Sequence, residues 1–185
     1  GRSSMSGCES PRIMTPHSDE CLCKREDMCM DGLERFLSAQ DVVYSTALVE
    51  LSAGRKRTHW MWFIFTQLRG LGRSAMAERY GIISVTEARE YLIHPVLGPR
   101  LKDCVEAIMR LRDRTLHEIL GSPDDLKFRS SMTLFAMIAP EDPLFRAALD
   151  RWCDRVLDPA TLSLLGSYLE APDAPTRDPG LHIAR

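Results

Sequence analysis

The sequence predicts an all-α fold: a single compact multi-helix domain around a central aromatic helix, with disordered N- and C-terminal tails. Three observations lead there. First, the run His59-Trp60-Met61-Trp62-Phe63-Ile64-Phe65-Thr66-Gln67-Leu68 holds two of the three tryptophans and two of the six phenylalanines. At about 3.6 residues per turn Trp60, Phe63, Ile64 and Leu68 share one face while Trp62 and Phe65 fill the other. A helix apolar all round is normally the buried centre of a helical domain. A buried strand fits the six apolar residues Trp60–Phe65 equally well by periodicity, but only Ile64 among them is β-branched and the neighbouring segments are helical in pattern. Second, side-chain acceptors stand just ahead of apolar, helix-spaced segments again and again. Third, no alternating strand pattern and no internal repeat is present.

Taken in order, residues 1–30 mix Gly, Ser, Pro, Cys and charges without periodicity, and are expected to be disordered. Met28 and Met30 stand just before the first convincing helix, which admits an upstream translation start. Asp31-Gly32-Leu33-Glu34 resembles a capping box. Leu33, Phe36, Leu37, Gln40, Tyr44, Ala47, Leu48 and Leu51 then recur at helical spacing until Gly54 supplies a left-handed stop. Arg55-Lys56-Arg57 links into the aromatic run, which Gly70 and Gly72 end. Ser74 caps a short helix reaching Tyr80, and Ser84-Val85-Thr86-Glu87 opens another through Leu92, closed at His94-Pro95 because a residue before proline avoids helical angles. Gly98-Pro99 starts the next, with Leu101, Cys104, Val105, Ile108 and Leu111 inward.

Thr115-Leu116-His117-Glu118 caps a turn of helix that stops at Gly121. Ser122-Pro123-Asp124-Asp125 combines an N-cap serine, an early proline and carboxylates against the helix dipole, opening a helix to about Ile138. Asp142-Pro143 and Asp158-Pro159 open the last two, and from Ala171 the prolines and scattered charges read as a tail. The domain therefore spans 31–170, between a 1–30 extension and a 171–185 tail.

Composition narrows the function classes. Hydrophobic residues make up 44%, a globular balance. A net charge of −2 argues against nucleic acid or an anionic membrane as the partner of the surface as a whole. No apolar run approaches the roughly 20 residues a bilayer span needs, and no signal-like apolar core stands near the N-terminus. A cytoplasmic protein is expected, with no membrane contact. Cys104 and Cys153 fall in helical patterns and read as small buried apolar residues. His17, Cys21, Cys23 and Cys29 have the ligand types of a metal site but lack paired C-x₂-C spacing, so no metal is assigned. No cofactor is implied.

The candidate chemistry is thin. From Arg55 to Ala77 there is no acid, while Arg55, Lys56, Arg57, Arg69 and Arg73 flank Trp60 and Trp62. Cations beside aromatics can hold a phosphate and stack a base, although buried tryptophans with solvated charges at a helix end give the same pattern. Gly70-Leu71-Gly72-Arg73-Ser74 could expose backbone N–H groups to an anion, but it matches no phosphate-loop fingerprint and is read first as a tight turn. Lys127, Arg129, Ser130, Ser131 and Thr133 place polar groups inside an otherwise apolar helix, which implies a polar cleft or an internal hydrogen-bond network. His59 is the candidate acid or base, and a hydrogen-bonding surface residue otherwise.

The aromatic run with Gly70-Leu71-Gly72, together with Arg35-Phe36, Ala39-Gln40, Tyr91-Leu92, His94-Pro95-Val96-Leu97-Gly98 and the stretch from Asp125 to Phe135, resembles a bacterial family known as domain of unknown function 1810. The resemblance covers about residues 33–166. It differs at Thr66, where the family has proline and a looser helix end is expected here. It implies a compact, mainly helical domain and no activity, substrate or cofactor. Members sometimes carry the label calpastatin, yet nothing here resembles a disordered, repeat-built protease inhibitor.

The expected function is a cytoplasmic helical module that binds a phosphate- or carboxylate-bearing small molecule in a polar cleft between the central helix and the Lys127–Thr133 helix. Arg69, Arg73, Lys127 and Arg129 would hold the anion, with His59, Trp60, Gln67 and Ser130 around it. Two alternatives stay open. One is an enzyme acting on a nucleotide-like or phosphorylated substrate with His59 as acid or base. The other is a protein-interaction module that uses an exposed aromatic edge, its partner unknown.

Overall fold

The longest helix, α1 (Glu20–Ser52), forms the spine against which the N-terminal half packs. A computed structural model describes residues 20–170 of the chain, with side chains from 32 to 168. The expected disorder of residues 1–19 and 171–185 lies outside the described residues, as do His17 and the side chains of Cys21, Cys23 and Cys29. α1 begins upstream of the expected start at Asp31. Residues 20–30 contain no Gly or Pro, so nothing local stops the helix from continuing there. Leu33, Phe36, Gln40, Ala47, Glu50 and Leu51 form its buried face.

The other helices among the described residues are α2 (Met61–Ile64), α3 (Ala75–Arg79), α4 (Val85–Ile93), α5 (Leu97–Arg110), α6 (Leu116–Leu120), α7 (Asp124–Ile138), α8 (Pro143–Trp152) and α9 (Pro159–Glu170). The most extensive contacts are α1 with α5 and α7 with α8. α4 lies between the two groups, touching α1, α5, α7 and α9. The all-α class holds throughout the described residues. No helix there is long and apolar enough to cross a membrane.

The aromatic run is the hub, but its helix is far shorter than expected. Trp60, Met61, Ile64 and Phe65 are fully buried, yet α2 makes a single turn and Phe65 leaves helical angles. The chain then straightens. Arg69 N–H donates to the Ile82 carbonyl (2.8 Å) and Ile82 N–H to the Gln67 carbonyl (2.8 Å), an isolated parallel bridge between Leu68 and Ile82. A segment buried on every side can satisfy its backbone with distant partners as well as within a helix, and an apolar run does not reveal which. Nor is the end at Thr66 loose: its buried hydroxyl donates to the Tyr80 carbonyl (2.7 Å). Buried Gln40 donates to the Phe63 carbonyl (2.6 Å) and to the Tyr91 hydroxyl (2.9 Å), tying α1 to the hub and α4.

Most local start signals act where expected. Ser74, Ser84 and Thr115 accept from the N–H three residues on, and Thr115 with Glu118 completes a reciprocal box. Asp142 and Asp158 accept from Leu144 and Thr161. Two starts differ. α5 opens before Gly98-Pro99, because buried His94 uses Nδ1 to accept from Val96 N–H (3.1 Å) and Leu97 N–H (3.3 Å). α7 has no side-chain cap from Ser122; Pro123 holds the cap position, and the Gly121 carbonyl accepts from Asp125 N–H (2.9 Å). Gly98 sits where α4 and α5 meet, and a Cβ there would come within 1.9 Å of the Leu92 carbonyl oxygen.

Candidate functional site

The residues expected to form one cleft separate onto different supports. Lys127 Nζ binds Asp124 Oδ1 at 2.8 Å and lies over the Trp62 ring at 4.6 Å. Lys56 Nζ binds Asp124 Oδ2, also at 2.8 Å, and lies over the Trp60 ring at 5.4 Å. The cation-and-tryptophan arrangement is therefore real, but the carboxylate from the first turn of α7 fills the place an outside anion was expected to take. Burial raises the Asp124 pKa, and the bonds from Lys127 and Lys56 outweigh it, leaving the carboxyl below its ordinary value.

Ser130 belongs to a network instead of a cleft. It donates to Asp158 Oδ2 (3.0 Å), which also accepts from the Thr161 hydroxyl (2.6 Å) and Thr161 N–H (3.0 Å). Thr133 accepts from Asp158 N–H (2.9 Å), so the mid-helix hydroxyls staple α7 to the start of α9. Arg129 reaches the same carboxylate only at 3.7 Å, and its Nε–H has no partner among the described residues.

Gln67 and Trp62 line a void of about 10 Å³ beside Gly72 and Tyr80, too small for more than a single water. Half-buried Arg69 accepts at its carbonyl from the Tyr168 hydroxyl (3.5 Å). Arg73 and His59 are exposed, with no ion-pair or hydrogen-bond partner among the described residues. Trp60 is fully buried, its Nε1–H donating to Glu50 Oε2 (2.9 Å), so it presents no edge to a partner.

A different concavity gathers the cations. Val49 and Glu50 from the end of α1, Ala53, Arg55 and Arg57 from the turn and loop that follow, and Arg114 from the α5–α6 loop line a pocket of about 540 Å³. Glu50 builds it. Its Oε2 accepts from Arg57 N–H (2.8 Å), Thr58 N–H (3.1 Å) and Trp60 Nε1–H, and its Oε1 from the Thr58 hydroxyl (2.9 Å). Burial raises the Glu50 pKa, but these bonds outweigh it and hold the carboxyl below its ordinary 4.5. The loop carrying Arg55 and Arg57 is thus strapped to α1 and to the aromatic hub.

Gly54 brings in the third arginine. Its φ of +69° suits glycine, and a Cβ there would meet Arg114 Cδ at 3.0 Å and Nε at 3.1 Å. The Arg114 stem consequently lies against the turn. No ion pair or side-chain hydrogen bond is made by Arg55, Arg57 or Arg114 among the described residues. Arg114 acts on Glu118 only weakly: the Glu118 pKa is lowered first by its bonds to Thr115 and less by Arg114. Three arginines thus line one pocket with a carboxylate whose oxygens are already occupied. Such a set can recognise phosphate or carboxylate oxygens through paired N–H donors.

Arg55 and Arg57 are visible in the sequence as a basic linker, whereas Arg114 lies far along the chain. The one local signal for it is the Arg110, Arg112, Arg114 alternation after α5. No group of three His, Cys, Asp or Glu side chains placed to hold a metal ion occurs among the described residues. Cys104 and Cys153 are free thiols, and burial pushes them up to about 12 and about 11 respectively.

Known proteins place the chain in a family of unknown function. The crystal structure at 1.38 Å of the conserved hypothetical protein Rv1873 from Mycobacterium tuberculosis is similar over 72% of this chain and 96% of that one, at 50% identity and a TM-score of 0.71. No curated protein matches the chain. The model of a family described as protein of unknown function, DUF1810, matches residues 30–165. By that match, which spans the aromatic hub, the Glu50 strap and all three arginines of the pocket, the chain belongs to the DUF1810 family.

Proposed function

We propose that this protein is a cytoplasmic helical module that binds a small molecule bearing phosphate or carboxylate groups, and that the anion sits among Arg55, Arg57 and Arg114. One observation carries the reading: three arginines from two loops, with no ion-pair partner among the described residues, line the same pocket of about 540 Å³, within the usual size range of small-molecule sites. Val49 and Ala53 at its edge offer apolar contact to the body of the ligand. The free thiols of Cys104 and Cys153 agree with a reducing compartment.

A melting-temperature series with inorganic phosphate, pyrophosphate, citrate and nucleoside diphosphates tests the reading, since a ligand that binds only the folded chain raises the midpoint. Pyrophosphate is expected to raise it in the wild type. Arg114→Ala should weaken that response by about tenfold in effective affinity, roughly 1.4 kcal/mol for a partly exposed charged contact. Equal shifts in wild type and Arg114→Ala, or no shift with any anion, would sink it.

A further inference from the structure

A second concavity, between α6, the start of α7 and the α8–α9 loop, has a different chemistry from the arginine pocket. Its volume is about 320 Å³. Exposed Leu126 and Val156 and half-buried Trp152 supply apolar walls. Two charged groups on those walls are poorly used. Arg129 has only the long 3.7 Å approach to Asp158, whose Oδ2 already serves Ser130 and Thr161. Asp154 is exposed, with no hydrogen bond or ion pair among the described residues, and is held at a φ of +51°. The third charged group, Asp125, is occupied, accepting from Leu126 N–H (2.8 Å) and meeting His117 Nδ1 (2.9 Å). Two buried N–H donors, Arg129 Nε and Trp152 Nε1, are also without acceptors among the described residues.

A cation held only by one long ion pair, a carboxylate with no partner among the described residues and apolar walls around one small space are complementary to a molecule carrying the opposite groups. A purely anionic ligand would be opposed by Asp154, and a purely cationic one by Arg129. We infer that this cleft binds an aliphatic α-amino acid: the ligand carboxylate toward the Arg129 guanidinium, its ammonium toward the Asp154 carboxylate, and its side chain on Leu126 and Val156. The inference is independent of the arginine pocket, which none of these residues lines.

Calorimetric titration of the whole chain with L-leucine, 4-methylpentanoate and 3-methylbutylamine tests it. Leucine should bind, and each single-charge analogue should bind at least about tenfold more weakly. Asp154→Asn is the decisive variant, because asparagine accepts left-handed backbone as readily as aspartate and no folded contact is lost. It should weaken leucine about tenfold or more, strengthen 4-methylpentanoate by removing the carboxylate that opposes it, and leave the melting temperature and the pyrophosphate response unchanged. Failure of leucine to bind up to about 10 mM, or equal leucine affinity in wild type and Asp154→Asn, would overturn the assignment. Loss of pyrophosphate binding alone would count against the arginine pocket and not against this cleft.

Discussion

Replacing Glu50 tests how the arginine loop is held. Glu50 Oε2 accepts three N–H groups and Oε1 one hydroxyl, all within 3.1 Å. In Glu50→Gln the amide oxygen can take the place of Oε2 and the new NH₂ can donate to the Thr58 hydroxyl, so the geometry survives while the charge is lost. A hydrogen bond to a charged group contributes about 1 kcal/mol more than a neutral one, so three of them put the loss at about 2–3 kcal/mol. Glu50→Ala is worse. The Trp60 Nε1–H lies in a fully buried side chain and would be left without a partner, while the loop amides at Arg57 and Thr58 can partly recover water. About 2 kcal/mol for the indole and about 1 for each amide gives roughly 4 kcal/mol, a large share of a domain's stability.

Urea denaturation followed by tryptophan fluorescence measures both variants. The pH dependence adds a signature that packing does not share. Because the folded pKa lies below the ordinary 4.5, the stabilisation is complete above that value and is lost as pH falls through the folded one. Wild type should therefore lose stability over that acid range, and Glu50→Gln should lose less. An alanine variant within about 1 kcal/mol of wild type, or identical acid curves for wild type and Glu50→Gln, would refute the strap.

Two other substitutions separate close approach from propensity and paired from unpaired hydroxyls. Gly98→Ala in the first turn of a helix would ordinarily stabilise by up to about 1 kcal/mol, but here the methyl would lie 1.9 Å from the Leu92 carbonyl oxygen, so a loss of about 3 kcal/mol or more is expected in thermal melts; a gain would show that α4 and α5 do not meet as described. Ser131 is fully buried with no partner for its hydroxyl among the described residues, so Ser131→Ala should be neutral or stabilise by up to about 1 kcal/mol, whereas Ser130→Ala, which removes a bond to Asp158, should cost about 1–2 kcal/mol. Equal effects at the two serines in chemical denaturation would contradict the α7–α9 network.

What the sequence makes legible is local. Ser74, Ser84, Thr115, Asp142 and Asp158 cap their helices because a side-chain oxygen and the N–H it accepts from lie two or three residues apart, and no distant contact is needed to place them. The one-turn length of α2 is not local. It depends on the 67–69 segment finding Ile82 and on the Thr66 hydroxyl finding Tyr80. The Lys127 reading met the same limit, since Asp124 binds Lys127 three residues away but is shared with Lys56 from the other end of the sequence pattern. Ser130 and Thr133 were legible as misplaced polar groups, and only the position of Asp158 shows that they form a network. The arginine pocket combines both cases: Arg55 and Arg57 stand out in an acid-free stretch, while Arg114 joins them through the turn at Gly54.

The convergence of those three arginines can be observed group by group. A ¹⁵N-resolved titration of the arginine Nε–H signals with pyrophosphate at low ionic strength, repeated at high salt, reports which guanidinium groups meet the anion. Arg55, Arg57 and Arg114 should shift together with a single saturation curve, weakened by salt, while Arg35, bound to Glu87 at 2.7 Å, should not move. Shifts spread evenly over all exposed arginines, or confined to Arg69, Arg73 and Arg129, would contradict the account.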